Sequence, residues 1–118
     1  MGNNGMPDYY QTEDLSKLSD LSLGAPELWE KFQGWYGAIF EEGALSSREK
    51  ALIALSVSHV LQCPYCIDVN TRTSLEHGSN LEQMTEAIQV GAAIRAGAAL
   101  SHGVQMKAIV DRFSVQGE

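Results

Sequence analysis

Residues 46–70 read SSREKALIALSVSHVLQCPYCIDVN, and the fold follows from how this stretch starts, runs and breaks. Ser46 and Glu49 have the Ser-x-x-Glu spacing of a capping box, in which hydroxyl and carboxylate satisfy backbone N–H groups that a helix start leaves without partners. Leu52, Ile53, Leu55, Val57 and Val60 follow at once, so the segment predicts a central buried helix. Pro64 lacks the N–H that would continue that helix and biases Cys63 away from helical dihedrals, so the backbone should break at Gln62 or Cys63. Proline suits a first helical turn. A new helix is therefore expected to run to about His77, with Ile67 and Leu75 inward and Gly78 as a left-handed stop. The Cys63-Pro64-Tyr65-Cys66 sequence thus falls at a helix N-terminus.

On the N-terminal side, leucines at 15, 18 and 21 predict a short helix over Asp14 to Leu21, stopped at Gly24. A stronger helix starts at Ala25-Pro26, places Leu28, Phe32, Trp35 or Tyr36, and Ile39 along one face, and ends at Gly43. Residues 1–13 lack periodicity and read as a flexible arm, in which Tyr9 and Tyr10 are available for docking and Met6 is an alternative start. On the C-terminal side, Asn80 and Gln83 form another cap, and Met84, Ile88, Gly91 and Ile94 recur at helical spacing. Small side chains from Gly91 to Ala99 predict close helix approach, within a core or between subunits. Leu100 to Phe113 reads as a last helix, separate from the previous one or continuous with it. The expectation is one all-α domain over residues 14–118, a bundle of about six helices, with no internal repeat.

Composition narrows the partners. Eight basic residues against 15 acidic ones give a net charge of −7, so nothing resembles a basic stripe for a phosphate backbone. The apolar run from Ala51 to Val60 is much too short to span a bilayer, and the polar N-terminus does not resemble a signal peptide. No nucleic acid, no membrane and a cytoplasmic location are expected. A chain of 118 residues buries a limited share of its surface, so oligomerisation is expected as well. The two cysteines are three residues apart and cannot close a long loop, so they read as chemistry.

A thiol is nucleophilic as thiolate, and the oriented amides of a helix N-terminus favour that form. With two residues between them, one sulfur can resolve an oxidised form of the other. Two other readings use the same residues. The thiols can be inert and buried, or His59, Cys63, Cys66 and His77 can offer four zinc ligands. Against zinc, His77 lies roughly 16 Å beyond Cys66 at ~1.5 Å per residue, too far for one site unless another subunit contributes. His59, four residues before Cys63, is the first candidate base, and capping a helix C-terminus is its structural alternative. The Tyr65 hydroxyl can donate to an oxygen substrate or simply pack. Asp68 suits the first helical turn but opposes thiolate formation. His77 reads as structural, and His102 as lining either an interface or the site. No Gly-rich phosphate loop is present and the chemistry needs only sulfur, so no bound organic cofactor is implied, and in the redox reading no residue is assigned as a metal ligand.

The stretch from Glu49 to Asn70, EKALIALSVSHVLQCPYCIDVN, resembles the core of the carboxymuconolactone decarboxylase and alkylhydroperoxidase D superfamily. The likeness extends loosely from Gly34 to Lys107, including AIRAGAALSHGVQMK, and looks closest to peroxidase-like proteins associated with arsenosugar biosynthesis. It implies an alkylhydroperoxidase-D-like all-α fold assembled as a homotrimer or homohexamer. It also implies a peroxidase-like or disulfide-reductase oxidoreductase acting on a peroxide or disulfide substrate with a dithiol electron donor. Carried over, Cys66 is the attacking thiol and Cys63 the resolving one, whereas thioredoxin-like logic reverses them. Two relay positions depart from the family: its glutamate twelve residues before the first cysteine is Ala51, and its histidine four residues after the second is Asn70. His59 is the candidate replacement; without one, weak peroxidase activity or another thiol function is expected. The second class of function is a non-catalytic or zinc-binding oligomer of the same fold. A decarboxylase is less favoured, because Arg72 and Arg95 are the only basic candidates near the site.

Overall fold

The computed structural model describes residues 11–117, and every regular element among them is helical. A 3₁₀ helix, Thr12–Leu23, precedes α1 (Pro26–Ile39), α2 (Ser47–Leu61), α3 (Pro64–Glu76), α4 (Leu81–Ser101) and α5 (Gly103–Gly117). The expected all-α class and order of elements are present, with the first helix 3₁₀ rather than α. Met6, Tyr9 and Tyr10 lie outside the described residues.

Local chemistry sets most of the boundaries. Ser46 Oγ accepts the Glu49 N–H at 3.0 Å while Glu49 Oε1 accepts the Ser46 N–H at 2.8 Å. Asn80 and Gln83 repeat the arrangement at the start of α4, with distances of 2.8 and 3.0 Å. Gln62 turns left-handed (φ 57°, ψ 47°), Cys63 is extended, and Pro64 opens α3. Gly78, at φ 86°, supplies the left-handed turn expected after α3.

α1, however, ends at Ile39 and not at Gly43. The first turn of α2 reaches back to close it: Ser47 Oγ donates to the Phe40 carbonyl at 3.1 Å, and Lys50 Nζ donates to the carbonyls of Ile39 and Glu41 at 2.7 and 2.6 Å. With its last carbonyls satisfied in this way, the helix needs no glycine cap. α4 and α5 are separate, interrupted at His102, whose backbone remains in the helical region (φ −67°, ψ −15°).

α2 is central, packed on α3 and α4; α1 packs on the 3₁₀ helix, which also touches α3; and α5 packs on α4. The covered face of α2 is Ala51, Leu55 and Ser58, one helical stripe at i, i+4 and i+7. Within this chain α2 is therefore buried on one face only, and Ile53 and Val57 stay about half exposed (50% and 48%). Leu75, expected inward, is also exposed. On α1 the stacked face is an aromatic ladder of Trp29, Phe32, Tyr36 and Phe40, with successive centroids 5.8, 5.5 and 5.1 Å apart, so Leu28 and Trp35 point away from it.

Of the small residues in α4, Gly91 alone is buried. A Cβ there would lie 2.5 Å from Ser56 Oγ and 2.9 Å from Val60 Cγ2, so α2 and α4 approach as closely as they do because position 91 has no side chain. Ala92 to Ala99 are exposed. Among the described residues, no helix is long and apolar enough to cross a membrane.

Candidate active site

The break between α2 and α3 places both cysteines. Cys63 is the N-cap of α3 and Cys66 sits in its first turn, with Cα atoms 5.3 Å apart and the two sulfurs bonded to each other. That separation is ordinary for a disulfide. The Cys66 backbone N–H donates to Cys63 Sγ at 3.2 Å, so the sulfur takes the place of the oxygen that usually caps a helix. Pro64, as the first helical residue, removes an N–H that would otherwise need a partner.

Cys66 faces two open, mostly apolar hollows of about 730 and 460 Å³. One lies between α1 and α2 and includes Phe40, Ile53, Val57 and Lys50. The other lies between α1, the 3₁₀ helix and α3, and includes Leu15, Trp29, Phe32 and Tyr65. Tyr36, Cys66 and Asn70 line both, so the two hollows adjoin at these residues, with Cys66 at the boundary of the two-part trough they make up. Cys63 lines neither hollow.

Beneath the trough is a neutral polar cluster. Asn70 Nδ2 donates to Ser58 Oγ at 2.9 Å, and Ser58 Oγ donates to the Ala54 carbonyl at 2.6 Å; both side chains are buried. One turn further along α3, the fully buried Ser74 Oγ has no hydrogen-bond partner among the described residues. Ala51 is buried on the same stripe as Ser58. The two positions at which the family carries ionisable relay residues therefore hold groups that do not titrate.

Tyr65 lines the second hollow, and its hydroxyl donates to Asp14 Oδ2 at 3.3 Å, tying the 3₁₀ helix to the cysteine turn. Desolvation pushes the Tyr65 phenol above the usual tyrosine range, with the Asp14 charge and hydrogen bond acting in the same direction. His59 is half-buried, and its Nδ1 donates to the Leu55 carbonyl at 2.8 Å, which leaves Nε2 as the acceptor of the neutral ring. His59 lines neither hollow at Cys66. His77 Nδ1 is likewise committed to the Thr73 carbonyl, at 2.9 Å. Among the described residues, no three of His, Cys, Asp and Glu converge as metal ligands.

The two arginines are also occupied outside the trough. Arg72 pairs with Asp68 at 2.7 Å, and Arg95 Nη1 donates to the Val60 carbonyl at the end of α2, also at 2.7 Å. The exposed His102 caps the end of α4. Sequence reasoning missed Tyr36, Lys50 and Ser58. A signal existed for Ser58, since it falls on the covered stripe of an otherwise apolar helix and so had to find a hydrogen-bond partner.

Comparison with known proteins agrees with this architecture. The model for the carboxymuconolactone decarboxylase family matches residues 26–106. "Uncharacterized protein 4 in cox locus" of Paracoccus denitrificans is 36% identical over 106 residues, covering 90% of this chain and 96% of that protein. A crystal structure of a protein from Methanobacterium thermoautotrophicum superposes with a TM-score of 0.69 at 32% identity, covering 73% of this chain and 97% of that one. Helix order, cysteine turn and sequence together show that the chain belongs to the carboxymuconolactone decarboxylase family, within the alkylhydroperoxidase-D-like superfamily.

Proposed function

We propose that the protein is a thiol-dependent oxidoreductase of the peroxidase or disulfide-reductase type, working through Cys63 and Cys66. The carrying observation is the asymmetry of the pair: Cys66 faces the apolar trough, while Cys63 is turned to the helix amides and accepts the Cys66 N–H. An organic hydroperoxide suits such walls. The Cys66 thiolate attacks the terminal oxygen, the O–O bond breaks, and the alkoxide takes up a proton to leave as alcohol. Cys66 is now a sulfenic acid. The Cys63 thiolate attacks the Cys66 sulfur, forming the disulfide and releasing hydroxide, which leaves as water. An external dithiol then attacks Cys66 from the trough to form a mixed disulfide as Cys63 departs as the amide-stabilised thiolate; the donor's second thiolate attacks the donor sulfur, closing the donor's own disulfide and releasing the Cys66 thiolate.

His59 Nε2 is the nearest candidate in sequence for moving these protons, since Ala51 and Asn70 cannot. Tyr65 can orient a peroxide oxygen only after exchanging its bond to Asp14. The replaced relay also favours the disulfide-reductase arm, which needs no proton delivered to an O–O bond. A homo-oligomer fits the family resemblance and the many exposed apolar side chains.

The test is peroxide consumption with a dithiol donor, comparing wild type with Cys66→Ser, Cys63→Ser and His59→Ala, alongside reduction of a small disulfide. Loss of both activities in Cys66→Ser is expected; full turnover in that variant overturns the assignment. Stoichiometric zinc in protein purified under reducing conditions, with no turnover, would favour the non-catalytic reading.

A further inference from the structure

Asn70 lies four residues after Cys66 on α3, which puts the two on one helix face with Cβ atoms roughly 5–6 Å apart. Both residues line the two hollows, and Asn70 is buried, with 7% of its surface exposed. A spacing of this size leaves room for one oxygen atom in contact with both side chains.

The direction of the amide follows from its neighbour. Ser58 Oγ lies 2.6 Å from the Ala54 carbonyl, which can only accept, so the hydroxyl proton is spent there. Towards Asn70, at 2.9 Å, Ser58 is therefore an acceptor, and the amide presents its N–H side to it. The second N–H and Oδ1 of Asn70 have no hydrogen-bond partner among the described residues, although an amide offers two donors and two acceptor lone pairs.

Packing does not account for this arrangement. Ser58 has an acceptor for its proton without Asn70, so the serine does not require an amide beside it. Burying an amide with most of its capacity unused costs free energy, and a leucine of similar size would fill the space without that cost. Other polar groups along the trough are already engaged. The Tyr65 hydroxyl is bonded to Asp14, and Lys50 spends two of its three donors on the Ile39 and Glu41 carbonyls.

We infer that the Asn70 amide is the oxygen-binding group of the site and that it selects a hydroperoxide. Oδ1 accepts the O–H of the terminal oxygen, and the second N–H donates to the inner oxygen. As the Cys66 thiolate attacks, an S–O bond forms and the O–O bond breaks. The transferred oxygen keeps its proton, so Oδ1 holds the same O–H first on the hydroperoxide and then on the Cys66 sulfenic acid. The electron pair of the broken bond goes to the inner oxygen, whose developing alkoxide charge the N–H stabilises until a proton arrives from solvent. Asn70 need not titrate at any point. The inference rests on the peroxidase arm of the function proposed above and gives that arm its substrate class, a peroxide bearing an O–H rather than a dialkyl peroxide.

Reduced Cys63→Ser protein isolates Cys66, and two rates are measured on it: oxidation by cumene hydroperoxide and alkylation by iodoacetamide, which carries no peroxide. Adding Asn70→Leu should lower the ratio of oxidation to alkylation roughly 10- to 100-fold. A purely structural asparagine would slow both together and leave the ratio alone. An unchanged ratio, where the parent is oxidised, overturns this inference and leaves the thiol assignment standing; a parent that is not oxidised overturns both. A second measurement keeps position 70 intact. In Cys63→Ser/Cys66→Ser protein, which has no thiol to oxidise, the side-chain amide resonances of Asn70 should shift saturably with cumene hydroperoxide and much less with cumene. Equal shifts with the two compounds, or none with the hydroperoxide, overturn the proposal.

Discussion

The backbone N–H of Cys66 lies 3.2 Å from the sulfur of Cys63, so the atom that caps α3 is also one half of the disulfide. On reduction the same amide faces a thiolate, together with the positive end of the helix. In Cys66→Ser, reduced Cys63 should react with iodoacetamide at neutral pH roughly tenfold faster than free cysteine. An equal rate would show that the cap does nothing for the anion.

Gly91 faces Ser56 and Val60 so closely that an added Cβ would lie 2.5 Å from Ser56 Oγ. Gly91→Ala should therefore destabilise by about 1–3 kcal/mol despite alanine's better helix propensity. Adding Ser56→Ala should recover only part of the loss, because Val60 Cγ2 and the Ser56 carbonyl still stand 2.9 and 3.2 Å from the new methyl. Urea unfolding of the three variants checks this.

The buried polar cluster divides into a satisfied and an unsatisfied part. Ser74→Ala should be neutral or stabilising by up to ~1 kcal/mol, since its hydroxyl is buried without a partner among the described residues. Asn70→Ala removes the donor to Ser58 Oγ and leaves a cavity, and should cost about 1–3 kcal/mol. Thermal melts with opposite shifts would bear out the division; equal losses would contradict it.

Glu49 gives the fold an acid-sensitive element. Its carboxyl is held below the usual carboxylate range, chiefly by the Ser46 backbone N–H and then by the Ser46 hydroxyl. A lowered folded value means that this stabilisation is present above the ordinary pKa of ~4.3 and is lost as pH falls through the folded one. The stability difference between wild type and Glu49→Gln should thus change below about pH 5 and level off in stronger acid. Unfolding curves at stepped pH measure it, and a difference constant across that window would contradict the account.

The features legible in the sequence were those set by neighbours along the chain. The capping boxes at Ser46 and Asn80, the break before Pro64 and the turn at Gly78 depend on a few consecutive residues, and each is where its local chemistry puts it. The end of α1 was not legible, because Ser47 and Lys50 reach back to it from the next helix. The burial expected for Leu75, Ile53 and Val57 failed for another reason: apolar periodicity marks the face a helix wants covered, not whether its own chain covers it. In the site, the cysteine pair was plain from spacing, whereas the trough shared by Tyr36, Cys66 and Asn70 needs three helices brought together. The Tyr65 bond to Asp14 spans 51 residues and has no local signature.

The central claim is that Cys66 receives the oxidant and Cys63 resolves it. Reduced protein treated with one equivalent of an organic hydroperoxide, then with dimedone, and mapped by mass spectrometry tests this most directly. The account predicts a Cys63–Cys66 disulfide in the wild type and a dimedone adduct on Cys66 in Cys63→Ser. No adduct on Cys66 in Cys63→Ser, or no oxidation of either thiol in the wild type, would contradict it.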